Sequence, residues 1–473
     1  MLPATMKVLR PEWQSWRFMI ALRLDALGGR GNGRIRGAAR KGKAACFMWV
    51  DLAFGKSGLR LELPEGFRYR VLEARTAPSL ADATAAIEAA LDAPIASAPL
   101  AELARGKRSA AISVCDITRP APNRTTLPPV LRRLEQAGIP REGITILIAT
   151  GLHRPASAEE IRQIVGEDVA RAYRIVNHDA RDPNQHRRLG RTQSGTPVAI
   201  DERFLAADLH VTLGFIEPHL MLGFSGGRKL IVPGLASQET IKTIHSPRFM
   251  REPKAVEGSL DDNPLHRELL EIAAMARHDF ILDVALARDR TITGVFAGNS
   301  VVAHKQGAAF VGNIMLQQLD QLADAAITTA AGYPLDLTFY QAIKGLTAAS
   351  HVVKPGGRIL LAAACEEGSG GPEFSRMLEE SCSDAEFMRQ IATNPDVVVD
   401  QWQLEKFGLV TARAKVSLYV PGLAPRYRKR LWGAAYETPQ AAIQALLEGL
   451  PQGASVAVMP DGPYILARAA AGA

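Results

Sequence analysis

Two short apolar runs, Ala110–Cys115 and Ile144–Ala149, constrain this chain more than any other feature. Each stops abruptly at a polar or glycine-containing loop, Asp116-Ile-Thr-Arg119-Pro120 after the first and Thr150-Gly-Leu-His153 after the second. Helical periodicity follows both, over residues 127–136 and Ala158–Val165. A compact apolar run bounded in this way reads as a buried strand. Strand, loop and helix in repeated series predict a parallel α/β sheet. Chemistry in such sheets gathers beyond the carboxyl ends of the strands, and Asp116, Arg119 and His153 all fall just there.

The same grammar extends along the chain. Residues 59–72 partly alternate and predict a short hairpin or strand pair. Residues 79–91 have helical periodicity with Ser79 as N-cap, and residues 237–245 read as another helix. Phe280–Leu286 reads as a strand. A new start lies near residue 311, with strands at 325–329 and 358–364 separated by glycine and proline loops. With 473 residues the chain has room for two or three cores. The fold class expected is α/β, with an N-terminal domain over 48–310, a C-terminal domain over 311–473 and the active site in the cleft between them.

Composition excludes several classes. No apolar run approaches the roughly 18 residues of a membrane span. The net charge of +7 comes from the first segment, because residues 1–47 hold ten basic and two acidic residues. The remainder is close to neutral, so the overall basic balance does not imply a nucleic-acid partner. Gly28 to Lys43 is rich in Gly and Arg and is expected to be a disordered extension, or to precede the natural start at Met48. The four cysteines form no CxxC pair, which argues against a disulfide framework or a structural zinc site and fits a cytoplasmic setting.

The segment from Gly214 to Lys229 carries the densest set of chemical groups. It holds His219, the small-residue turn Ser225-Gly226-Gly227 and Lys229, and His245 follows. The turn is open to an anion-binding or a plain structural reading; it lacks the P-loop spacing. Lys229 is a candidate covalent anchor. His245 is a candidate metal ligand, but no zinc-type spacing accompanies it, so most donors to any metal must come from a cofactor. Tyr340 and Lys344 share a helix face if that segment is helical. Trp402 suits stacking on a flat ring or a place in the core. His178-Asp179 and the remaining histidines have no supporting pattern.

In order, D-x-T-R-P at 116–120, G-x-H-R-P at 151–155, G-F-x-E-P-H at 214–219, G-F-S-G-G-x-K at 223–229, His245 and Y-Q-x-x-K at 340–344 resemble the nickel-pincer lactate racemase family. The resemblance runs from about residue 48 and weakens after about 420. It implies a nickel-pincer nucleotide, a nicotinate mononucleotide derivative with sulfur donors, attached to Lys229 through a thioamide and ligated by His245. It implies His153 and His219 as catalytic bases. Arg119, Tyr340 and Lys344 are implied around substrate, and Asp116, Gln341 and Trp402 around cofactor; Ser225, Gly226 and Gly227 are expected at the cofactor on the anion-binding reading of their turn.

The implied reaction is racemisation or epimerisation of a 2-hydroxy acid. Removing a proton from the α-carbon builds charge beside an existing anion, and removing hydride avoids this. A histidine takes the hydroxyl proton, and two bases serve two enantiomers. Expected partners are the small-molecule substrate and the proteins that make the cofactor, with neither nucleic acid nor membrane; a homo-oligomer is left open. Two other readings stay open: a non-catalytic nucleotide-binding protein, and a metal-dependent hydrolase built on His153, His219 and His245.

Overall fold

The computed structural model describes residues 36–38, 47–394 and 396–469. Its centre is a six-stranded sheet in the order Ile292–Gly298, Phe280–Leu286, Leu209–Phe215, Ala110–Cys115, Ile144–Ala149, Arg174–Asn177. All neighbours are parallel except the first two, which are antiparallel. Alternate side chains reach opposite faces, as a two-residue period requires. Ile112, Val114, Ile146 and Ile148 pack with Leu127 and Leu134 of the helix Asn123–Gln136. Ala111 and Leu147 pack on the other face with Phe204, Ile231, Ile241 and Leu269.

The chain leaves Ala110–Cys115 toward one edge of this sheet and later returns to lay Leu209–Phe215 on its other side. The crevice at this reversal is where an α/β sheet binds ligands. The loops that open there hold Asp116 and Arg119 after one strand, and His219 and Lys229 after the other.

A second sheet of six strands runs Ala434–Ala435, Lys415–Tyr419, Val353–Ala362, Ala323–Thr329, Ser455–Met459, Arg68–Val71, parallel throughout. The helix Phe339–Ser350 follows its central strand and carries Tyr340, Gln341 and Lys344. Thr338 caps that helix by accepting from the Gln341 N–H.

The N-terminal strands depart from the expected boundary at residue 48. Leu59–Leu63 pairs antiparallel with Phe47–Leu52, and Arg68–Val71 joins the second sheet beside Ser455–Met459. Val50, Leu52, Leu61 and Leu63 complete a core with Ile327, Leu360, Ile443 and Val458. Local alternation identifies strands, but a pairing partner nearly four hundred residues away leaves no local trace.

The expected disorder of the first segment also needs correction at one point. Arg36–Ala38 forms a strand on the edge of Phe47–Leu52. Backbone pairing needs no apolar side chain, so composition does not exclude it. The rest of residues 1–46 lies outside the described residues. The first described helix is Ala83–Asp92, capped by Asp82 rather than Ser79. Among the described residues no helix is long and apolar enough to cross a membrane.

Candidate active site

A cavity of about 310 Å³ lies between the loops of the two sheets. Asp116, Arg119, His153, His219, Ser225, Gly226, Lys229 and His245 line it from the first sheet's side. Tyr340, Gln341, Lys344 and Trp402 line it from the second. Of the residues singled out in the sequence, Gly227 alone is absent from the wall.

His153 sits on the loop after Ile144–Ala149, and its Nδ1 lies 2.6 Å from Asp116 Oδ2. Asp116 is 5 % exposed, while the His153 side chain is 45 % exposed. Burial pushes the Asp116 carboxyl up, but His153, Arg119 and a 2.7 Å bond from the Thr118 hydroxyl outweigh it and hold it below the usual carboxylate range. With Nδ1–H given to the carboxylate, Nε2 keeps a free lone pair.

His219 is held the opposite way. Its Nδ1 accepts from the backbone N–H of Met221 and of Leu222, both at 3.3 Å. The proton of the neutral ring therefore sits on Nε2. Burial, then the cations Lys229, Lys344, Arg119 and Arg228, keep this ring far below its ordinary pKa. His153 thus presents an acceptor and His219 a donor.

The same cations act on one another. Burial, Arg119 and Lys344 hold the Lys229 amine well below the usual lysine range. Burial and Arg119 bring Lys344 down to about 7. Glu217 lines the cavity among them, and burial raises its carboxyl despite their pull. Sequence reasoning gave Glu217 no role, although it stands inside the motif that ends at His219.

The turn 225–227 does not offer a ring of free N–H groups. Ser225 N–H donates to the Glu217 carbonyl at 2.9 Å, and Gly227 N–H donates to Asp283 Oδ2 at 2.8 Å. The Ser225 hydroxyl bridges Phe215 O and Glu217 N–H. The glycines serve a close approach instead: a Cβ on Gly226 would stand 2.6 Å from Asp283 Oδ2. Gly227 is buried beneath the wall, so the anion-loop reading is not supported.

His245 is the C-cap of the helix Gln238–Ile244. Its Nδ1 donates to the Ile241 carbonyl at 2.8 Å, which leaves Nε2 as a lone-pair donor. Burial lowers its pKa to about 4 and keeps it neutral. The Trp402 ring lies 4.5 Å from it, centre to centre. Trp402 Nε1 donates to the Tyr340 hydroxyl at 3.2 Å. Asp400, next to Trp402, was also missed. It lines the cavity in a left-handed backbone conformation, φ 69°, and burial lifts its carboxyl to about 6.

The other histidines serve the scaffold. His178 pairs with Asp201 at 2.9 Å, not with adjacent Asp179. His210 pairs with Asp279 and His351 with Glu257. Among the described residues no three His, Cys, Asp or Glu side chains gather to hold a metal.

Comparison with known proteins identifies the family. Residues 54–258 match the model of the lactate racemase N-terminal domain, and residues 319–466 match that of the C-terminal domain. A lactate racemase of Thermoanaerobacterium thermosaccharolyticum is 33 % identical over 89 % of this chain and 99 % of its own length. The chain belongs to the lactate racemase family. A lactate racemase of Lactiplantibacillus plantarum is 37 % identical over 81 % of the chain and 90 % of its own length. The solved lactate racemase apoprotein from T. thermosaccharolyticum superposes with a TM-score of 0.82, covering 89 % of this chain and all of that one. A Thermotoga maritima protein at 18 % identity, TM-score 0.63, shares the fold over 82 % of this chain and 98 % of its own. As a member of the family the chain is an isomerase, a racemase.

Proposed function

We propose that this family member racemises or epimerises a 2-hydroxy carboxylate, lactate or a relative of it, with a nickel-pincer nucleotide tethered to Lys229. The observation that carries the proposal is one cavity uniting a suppressed lysine amine, a lone-pair histidine and a carboxylate-oriented histidine.

The residues fit such a group. The Lys229 amine, kept below its ordinary range, is disposed to be neutral and therefore nucleophilic. His245 offers a single neutral nitrogen, as suits a metal whose other donors belong to the cofactor. Gln341, which lines the cavity, has its Oε1 buried without a partner among the described residues. The bound group would supply a hydride acceptor at carbon.

The chain's own residues do the rest. Arg119 and Lys344 pair with the substrate carboxylate, the first as a planar fork and the second as a point charge. His153 Nε2 accepts the hydroxyl proton, and Asp116 supports the imidazolium. His219 Nε2–H donates toward the substrate oxygen on its own side. To act as base for the other enantiomer, His219 must change tautomer. Leu152, Leu220 and Met221 in the wall limit water access.

Expected partners are the proteins that build the cofactor, in a cytoplasmic setting. A chiral screen of 2-hydroxy acids with cofactor-loaded protein tests the function. Interconversion of one enantiomeric pair is expected, and no turnover of any 2-hydroxy acid by protein loaded at Lys229 contradicts it.

A further inference from the structure

Arg228 precedes Lys229 in sequence and points away from the cavity. It is among the largest fully buried side chains, 1 % exposed. A buried guanidinium is costly unless its N–H groups are paired. Here Nη1 and Nη2 are paired almost wholly with the loop from which Arg228 emerges, while Nε has no partner among the described residues. Nη2 donates to Leu222 O at 3.0 Å and to Phe224 O at 2.9 Å. Nη1 donates to Gly226 O at 3.2 Å and lies 2.7 Å from His304 Nε2, which is itself 2.7 Å from the Ser225 carbonyl. The Ser225 carbonyl converges on the same edge. His304 comes from the helix Val302–Met315, and its ring lies directly under Gly227.

Leu222 is the link that matters, through the two backbone groups on either side of its Cα. Its carbonyl accepts from Arg228, and its N–H donates to His219 Nδ1. One guanidinium therefore holds the residue whose N–H orients the His219 imidazole, and it fixes the turn Gly227–Leu230 from which Lys229 projects. The loop 219–229 is otherwise short of regular structure, with one two-residue pairing, Pro218–His219 with Gly223–Phe224.

We infer that Arg228 is the positioning residue of this site, setting the His219 ring through Leu222 and the Lys229 side chain through the backbone it anchors. Its effect on Lys229 rests on the cofactor reading, while its effect on His219 does not. A lysine in its place keeps a charge but cannot span the Leu222 and Phe224 carbonyls as a planar fork does.

The test uses full-length protein labelled with ¹⁵N-histidine, with H219Q to assign the ring. In wild-type apoprotein the two-bond ¹H–¹⁵N spectrum is expected to show His219 protonated at Nε2 alone. In R228M and R228K, at a temperature where each remains folded, that signature is expected to give way to a mixture of tautomers. If R228M does not fold, R228K decides. Unchanged His219 signals in folded R228K contradict the link through Leu222. In protein from a cofactor-making host, adduct occupancy at Lys229 is expected to fall at least about twofold in R228K. Equal occupancy in R228K and wild type contradicts the link to the tether. A wild-type Lys229 that carries no adduct counts against the cofactor reading and leaves the His219 result to stand.

Discussion

His153 Nδ1 and Asp116 Oδ2 lie 2.6 Å apart across 37 residues of sequence, and the pair turns an exposed loop histidine into an oriented base. Replacing Asp116 by Asn reverses the polarity of this bond while keeping its shape. The amide is then free to donate to Nδ1, which leaves the proton on Nε2 and removes the lone pair that faces the substrate. D116N is expected to lower kcat by about 10²–10⁴-fold, by analogy with other His–Asp pairs. KM is expected to change little. Steady-state kinetics with both enantiomers checks this, and a kcat within about twofold of wild type counts against the role.

The carboxylate clamp should carry its own pH signature. Lys344 sits near 7 because burial and Arg119 disfavour its charged form. Below that pH it is an ammonium and pairs with the substrate carboxylate; above it the pairing is lost. The sign is therefore a fall of kcat/KM on the alkaline side of about 7, approaching tenfold per pH unit. K344R stays charged throughout and is expected to remove that limb, whatever its absolute rate. A pH profile for wild type and K344R decides.

Lys229 is expected to matter for chemistry and not for folding. Its amine is buried beside Arg119 and Lys344, so its charged form strains the apoprotein. K229M is expected to unfold at the same temperature or higher, because Met fills the buried site without an amine to desolvate. Racemase activity is expected to vanish. Thermal unfolding and a chiral assay on the same preparation test both halves.

Much of this arrangement was legible in the sequence. Ala110–Cys115, Ile144–Ala149 and Phe280–Leu286 have the bounds their apolar runs indicate. Those strands alone place Asp116, Arg119 and His153 at the crevice. Arg68–Val71 was not legible as part of the second sheet, because its partner Ser455–Met459 lies at the far end of the chain. Glu217 and Asp400 stood in plain view beside His219 and Trp402. A carboxylate gains meaning only from the cations or backbone around it, and those come from distant segments. Gly227 was assigned to cofactor for its residue type, whereas its N–H is spent on Asp283.

His245 should separate metal retention from tethering. Its Nε2 is the nitrogen left free once Nδ1 bonds to the Ile241 carbonyl. H245A is expected to keep the Lys229 adduct but to hold at least about tenfold less nickel per adduct, in line with the loss of a metal ligand or its orienting partner. Metal analysis alongside intact mass checks the ratio. An unchanged ratio removes His245 from the ligand set.

The central claim is that Lys229 carries the reacting group. Peptide mass spectrometry of protein from a cofactor-making host tests it most directly, with nickel measured on the same sample. The expected result is a nucleotide adduct on the peptide containing Lys229, with nickel near one per adduct. An unmodified Lys229 and no nickel, in protein that still interconverts 2-hydroxy acid enantiomers, would contradict it.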